Sequence, residues 1–166
     1  TLETVKKIEA ETKHDIMAMV NALSKAAGEA GRYVHLGATS NDIVDTAVAL
    51  EFKAMLDIIE QDLDELISVL ADKAERYRLT PMMGRTHGQF AIPTTFGFKL
   101  AGYLSEMLRH RERVKEMRKR VCVGKMSGAI GTGAGFGPKF FQIQEAVMKE
   151  LGLGHEEAAT QLVCRD

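Results

Sequence analysis

"DIVDTAVALEFKAMLDIIEQDLDELISVLADKAERYRL", residues 42–79, contains neither proline nor glycine. Its apolar residues Val44, Val48, Phe52, Met55, Leu56, Ile59, Leu63, Leu66, Ile67, Leu70, Ala74 and Tyr77 recur at steps of three and four, the spacing that lines up side chains on one face of an α-helix. At about 1.5 Å per residue such a helix is roughly 57 Å long. That outgrows a compact globule, and so wide an apolar stripe demands cover from other long helices. The predicted fold is therefore mostly α, a bundle of long helices.

The flanks extend the same reading. Residues 2–27 carry Val5, Ile8, Ile16, Met17, Met19, Val20 and Leu23 at helical spacing, which predicts one helix ending at Gly28 and Gly31. A further helix is expected to open near Pro93, since proline suits the first helical position, and to run through Leu100, Leu104, Met107, Leu108, Val114 and Met117 to about Arg120. "VCVGKMSGAIGTGAGFG", residues 121–137, then breaks the pattern with six glycines and reads as a glycine-rich loop or short hairpin. A shorter helix over about 138–150 closes before Gly152 and Gly154.

Composition narrows the function classes. The chain has 166 residues, enough for one domain with a sizeable core, and a formal charge of −1 gives it no global pull toward nucleic acid or anionic membrane. The absence of tryptophan, 6% aromatic residues and nine methionines favour helix packing over a β-sandwich. The cysteines Cys122 and Cys164 lack metal-ligand spacing and read as small buried or half-buried residues of a reducing, cytoplasmic compartment. No apolar run approaches the roughly 18 residues of a membrane span, and the charged start "TLETVKKIEAETKHD" is unlike a secretory signal. "RHRERVKEMRKR", residues 109–120, holds seven Lys or Arg with no interleaved aromatic, so it reads as a solvated helix face rather than a nucleic-acid surface.

Three histidines stand beside polar partners: His14 in "KHD", His35 in "VHLGATSND" and His87 in "GRTHGQ". Imidazole titrates near neutrality and suits proton transfer, although for any one of them a surface or hydrogen-bonded histidine is the plainer reading. "ATSND" puts hydroxyls at the start of the long helix, where unpaired N–H groups favour an anion. Simple capping by Thr39 and Asp42 is the plainer alternative. In "GRTHGQFAIPTT", residues 84–95, Gly84 and Gly88 let the backbone approach a ligand closely, with Arg85, Thr86 and His87 carried between them. The loop "GKMSGAIGTGAG" has neither the order of a Walker loop nor the setting of a dinucleotide fingerprint, yet leaves Lys125 and Ser127 as ligand-facing candidates.

In this order, "KHD", "VHLGATSNDIVDTA", "GRTHGQFAIPTTFGFKLA", "GKMSGAIGT" and "TQLVCRD" resemble the adenylosuccinate lyase branch of the fumarase/aspartase superfamily over nearly the whole chain. Fumarases and argininosuccinate lyases typically follow the histidine of "GRTH" with Leu-Gln, whereas here Gly88 and Gln89 follow. The resemblance implies β-elimination of fumarate from adenylosuccinate, giving AMP, and from the succinylated aminoimidazole carboxamide ribotide, with no metal or organic cofactor. It implies that His87 is the general acid for the leaving nitrogen and that His14 supports it. Lys13, Asp15 and Thr86 are implied on the substrate, Thr39 and Ser40 on a carboxylate, His35 near the phosphate and Gln161 at the nucleotide. His110 and His155 match nothing functional and are expected on the surface.

The family's flexible signature loop, of the form SSxMPxKxNP, has no counterpart in these residues. The sequence thus resembles a middle piece of the lyase, 1–166 being part of the central helical-bundle domain, with room for the end of an N-terminal domain at its start. The C-terminal part is missing on this reading, and the piece is expected to be inactive alone. The family assembles its active sites from three subunits of a homotetramer, which would cover the long helix. The alternatives are another lyase of the superfamily, such as argininosuccinate lyase, or a non-catalytic helical scaffold.

Overall fold

The computed structural model describes residues 1–165; Asp166, the last residue of "TQLVCRD", lies outside it. The chain is mostly helical, as expected, with α1 (Leu2–Thr12), α2 (Asp15–Ala26), α3 (Ser40–Arg76), α4 (Phe96–Val121) and α5 (Phe140–Leu151). Two small sheets accompany them, β1 (Pro81–Thr86) with β2 (Gln89–Thr95), and β3 (Val123–Gly124) with β4 (Gly154–His155). Two compact units result, one of residues 1–50 with 122–165, the other of residues 51–121. None of the helices among the described residues is long and apolar enough to cross a membrane.

In the first unit the single helix expected over 2–27 is two. Lys13 adopts the left-handed conformation (φ 55°) and its N–H bonds to the Glu9 carbonyl, closing α1. His14 is extended, and its Nδ1 accepts the Met17 N–H at 3.3 Å, which starts α2. The apolar period runs through this break without showing it. Around the helices, Ala18, Ala49, Met148, Val123, Leu153 and Val163 form the buried apolar core.

The glycine-rich stretch is not a hairpin. β3 pairs in parallel with β4, some thirty residues on, and the remainder is a loop turning at the positive-φ residues Gly128, Gly131 and Gly133. Cys122 is buried, but Cys164 is exposed, against expectation: its buried neighbour Val163 is the residue whose N–H is bonded to Asp45.

In the second unit α3 and α4 run antiparallel, with the β1–β2 hairpin between them in sequence. Arg118 donates to Asp57 at 2.7 Å and Glu60 at 3.0 Å, and Arg111 to Asp64 at 2.7 Å, so two arginines of the basic stretch face α3 rather than solvent. Their long stems reach carboxylates that repeat along the neighbouring helix. At the other end Tyr77 packs on Phe96 with ring centroids 5.3 Å apart. Gly97 lies so close to Ala74 and Arg78 that a Cβ there would strike their backbone.

Pro93 does not open a helix. It lies in β2 opposite Met83, where its missing N–H is tolerated in a two-stranded ribbon with an irregular register between Met83 and Arg85. α4 starts three residues later at Phe96, and Thr95 Oγ1 accepts the Phe98 N–H at 3.2 Å as its cap. Much of the α3 stripe remains open to solvent in the single chain, including Met55, Ile59 and Leu66.

Candidate functional site

The hairpin of the second unit presents His87. Thr86 pairs with Gln89, leaving a two-residue turn of His87 (φ 52°) and Gly88 (φ 74°). Positive φ at both central positions is the type I′ geometry, whose twist matches that of the flanking strands. Glycine adopts it freely at Gly88, while His87 holds a conformation uncommon for a residue with a Cβ. Thr86 and His87 are both exposed. Behind them the Arg85 guanidinium lies 5.1 Å from the centroid of the Phe90 ring. Phe90 and Ile92 are 73% and 78% exposed, so this hairpin carries a bare apolar surface next to its polar tip.

In the first unit Lys13, His14 and Asp15 occupy the break between α1 and α2. All three side chains are exposed. Because Nδ1 of His14 accepts a backbone N–H, a neutral ring carries its proton on Nε2. The Asp15 carboxylate accepts the Ile16 N–H at 2.8 Å and lies 3.5 Å from His14 Nδ1.

His35, Thr39 and Ser40 follow on the approach to α3. His35 has a positive φ of 66°, and its buried Nε2 has no hydrogen-bond partner among the described residues. Lys13, His35 and His87 are the non-glycine residues with positive φ among the described residues. Each is a residue the sequence singled out.

The capping relation between Thr39 and Asp42 exists, and it belongs to something larger. Asp42 Oδ2 accepts the N–H groups of Thr39 and Gly128, both at 2.9 Å, while Oδ1 accepts Lys125 Nζ at 2.6 Å and the Ser127 N–H at 3.0 Å. Burial pushes this carboxyl up, but the Lys125 hydrogen bond, the Ser127 and Thr39 N–H groups and the Lys125 charge outweigh it and hold it below its ordinary 3.8. Lys125 is fully buried, with its ammonium also donating to the Gly128 carbonyl at 3.1 Å. It is thus spoken for by the protein, whereas the buried hydroxyl of Ser127 has no partner among the described residues.

Sequence spacing marks Asp42 only as a cap, and its partners at positions 125–128 lie beyond any local pattern. Asp45 is a second acid of this kind. It accepts both Nη1 and Nη2 of Arg165, at 2.8 and 3.1 Å, and the Val163 N–H at 3.2 Å. This clamp fixes the segment just after Gln161, whose side chain is exposed. His155 is exposed on β4, and His110 lies on α4 between Glu106 and Arg113.

The chain is similar to known proteins in sequence and in fold. The profile of the lyase family fits residues 3–165. The adenylosuccinate lyase of Pyrococcus horikoshii is 56% identical over 165 residues, and that of Archaeoglobus fulgidus 51% over 166. The match covers 99% of this chain but 37% of the Pyrococcus protein, so the chain spans little more than a third of such relatives. Among solved structures, a fumarate lyase from Mesorhizobium sp. BNC1 superposes with a TM-score of 0.86 at 40% identity, over 95% of this chain and 37% of that one. The 3-carboxy-cis,cis-muconate lactonizing enzyme of Pseudomonas putida gives 0.81, also at 40% identity, over 95% of this chain and 36% of that one. By sequence over almost its full length and by the course of its helices, the chain belongs to the lyase family, with the mostly helical fold of the fumarase/aspartase superfamily.

Proposed function

We propose that this chain is a segment of an adenylosuccinate lyase, a C–N lyase of purine and AMP biosynthesis that releases fumarate from adenylosuccinate and from the succinylated aminoimidazole carboxamide ribotide. In the β-elimination a base takes the proton from the succinyl Cβ, and that electron pair becomes the new C=C bond. The C–N bond breaks, and its electrons go to the departing nitrogen. That nitrogen leaves only if it gains a proton, and His87 donates it. Thr86 holds the succinyl group beside it, and His14 supports the acid side.

The observation that carries this reading is His87 held at positive φ on an exposed two-residue turn, next to Thr86. Backbone conformations of that cost concentrate where a side chain must be delivered to one place. Thr39 and Ser40, at the α3 N-terminus, suit a substrate carboxylate; Lys13, Asp15, His35, Ser127 and Gln161 complete the binding set. Lys125 belongs to it through the loop it anchors.

On this reading residues 1–166 form part of the central helical domain, and the segment by itself is expected to be inactive, because the base-bearing signature sequence does not occur in these residues. The open α3 stripe supports a homotetramer with shared sites, and two cysteines without metal-ligand spacing suit the cytoplasm. In a full-length protein carrying this sequence, His87→Gln abolishes fumarate release from adenylosuccinate while helical circular dichroism is unchanged. Undiminished turnover would reject the assignment. The likeness to the Pseudomonas lactonizing enzyme gives a second reading, and turnover of 3-carboxy-cis,cis-muconate in place of adenylosuccinate would favour it.

A further inference from the structure

The 125–128 loop is held at every backbone donor by a side chain from elsewhere in the first unit. Thr46 Oγ1 accepts the Lys125 N–H at 3.1 Å and lies 3.0 Å from the Lys125 carbonyl, to which it donates. Gln144 Oε1 accepts the Met126 N–H at 3.0 Å. Asp42 takes the remaining two, from Ser127 and Gly128, together with the Lys125 ammonium and the Thr39 N–H. Among the described residues the buried Ser127 hydroxyl finds no hydrogen-bond partner, on a residue only 4% exposed.

A helix cap needs one of these bonds. Four donors from two segments more than 80 residues apart, gathered on one buried carboxylate, do more than stop a helix from fraying. They give the turn bearing Thr39 and Ser40 one fixed relation to the backbone bearing Ser127. A buried charge with all its donors satisfied has no alternative geometry of similar energy.

We propose that Asp42 is a positioning residue for substrate binding, locking the Thr39–Ser40 turn and the Ser127 loop into a single carboxylate-accepting arrangement. The proposal rests on the lyase reading above. Asp42 touches no substrate itself; it acts through the groups it aligns. Its loss therefore weakens binding more than it slows proton transfer, which belongs to His87.

The test uses a full-length protein carrying this sequence, with adenylosuccinate as substrate. Asp42→Asn raises KM by about tenfold or more while kcat stays within about threefold, and Asp42→Glu recovers part of the loss. Because Asn would face the Lys125 ammonium, the double variant Asp42→Asn/Lys125→Gln, which leaves no unpaired charge, is measured beside it and is expected to show the same KM defect. A lowered melting temperature with KM and kcat unchanged overturns the proposal and leaves Asp42 a stabilising residue. Failure of both variants to fold overturns it in the same sense. His87→Gln run in parallel separates the two ideas: if it too leaves turnover intact, the lyase reading has failed, and if it alone destroys turnover while the Asp42 variants match wild type, only the positioning role is lost.

Discussion

The loop at 125–128 and the hairpin at 81–95 fix their polar groups by opposite means. The loop is buried, and each of its backbone donors is met by a side chain far away in sequence. The hairpin is exposed, and its tip is set by two adjacent residues with positive φ. Burial gives the first its rigidity, because an unsatisfied donor or charge inside costs more than any bond gained by moving. The second is rigid only to the extent that the turn geometry and ribbon register allow. A binding platform suits the first kind of support, and a group that must reach out to a leaving atom suits the second.

The largest effect should come from the hairpin tip. His87→Gln in a full-length protein is expected to reduce kcat by about 10²–10⁴-fold, the usual worth of a general acid, with little change in unfolding. Assay of turnover beside circular dichroism checks both halves. If stability fell as much as activity, the contrast between presenting tip and supporting loop would break.

Next comes the buried pair. Lys125→Met leaves the Asp42 carboxylate buried without its cation and should destabilise the protein by about 3–5 kcal/mol, measured by urea unfolding. A loss below about 1 kcal/mol would mean the loop is no better anchored than the surface.

The same pair predicts an acid limb. Asp42 is held below its ordinary 3.8, so its contribution to stability is complete above that value and is lost as pH falls through the lower folded-state value. Unfolding midpoints taken at successive pH values should decline below about 3.8 in the wild type. In Asp42→Asn that part of the decline should be missing.

The smallest effect is expected from the half-exposed ion pair that joins α3 to α4. Arg111→Ala removes its bond to Asp64 and should cost under about 1 kcal/mol, less still in high salt. A cost equal to that of Lys125→Met would show that exposure does not rank these pairs.

The long helix was legible in residues 42–79 because its period repeats and nothing interrupts it; the observed limits, Ser40–Arg76, differ by two or three residues at each end. α5 was legible for the same reason, and Gly152 ends it in the left-handed conformation. The break at Lys13 was not, since it comes without glycine or proline. The hairpin is hidden in the sequence because Pro93 next to a helical run reads as a helix start, while His87 followed by Gly88 signals chemistry as readily as a turn. His87, Thr86, His14 and the Thr39–Ser40 turn could be picked from their local company. Asp42 as a four-donor hub, Asp45 with Arg165, and the burial of Lys125 could not.

By itself the sequence determined the helical periods, the order of the motif stretches and, through them, the family. These are written in residues a few positions apart, and short-range sterics and hydrophobic spacing suffice to read them. Tertiary structure decided which charges are buried, which donors Asp42 collects and which face of the hairpin is bare. A buried charge is tolerable only where its partners converge, and here those partners come from segments separated by about half of the chain.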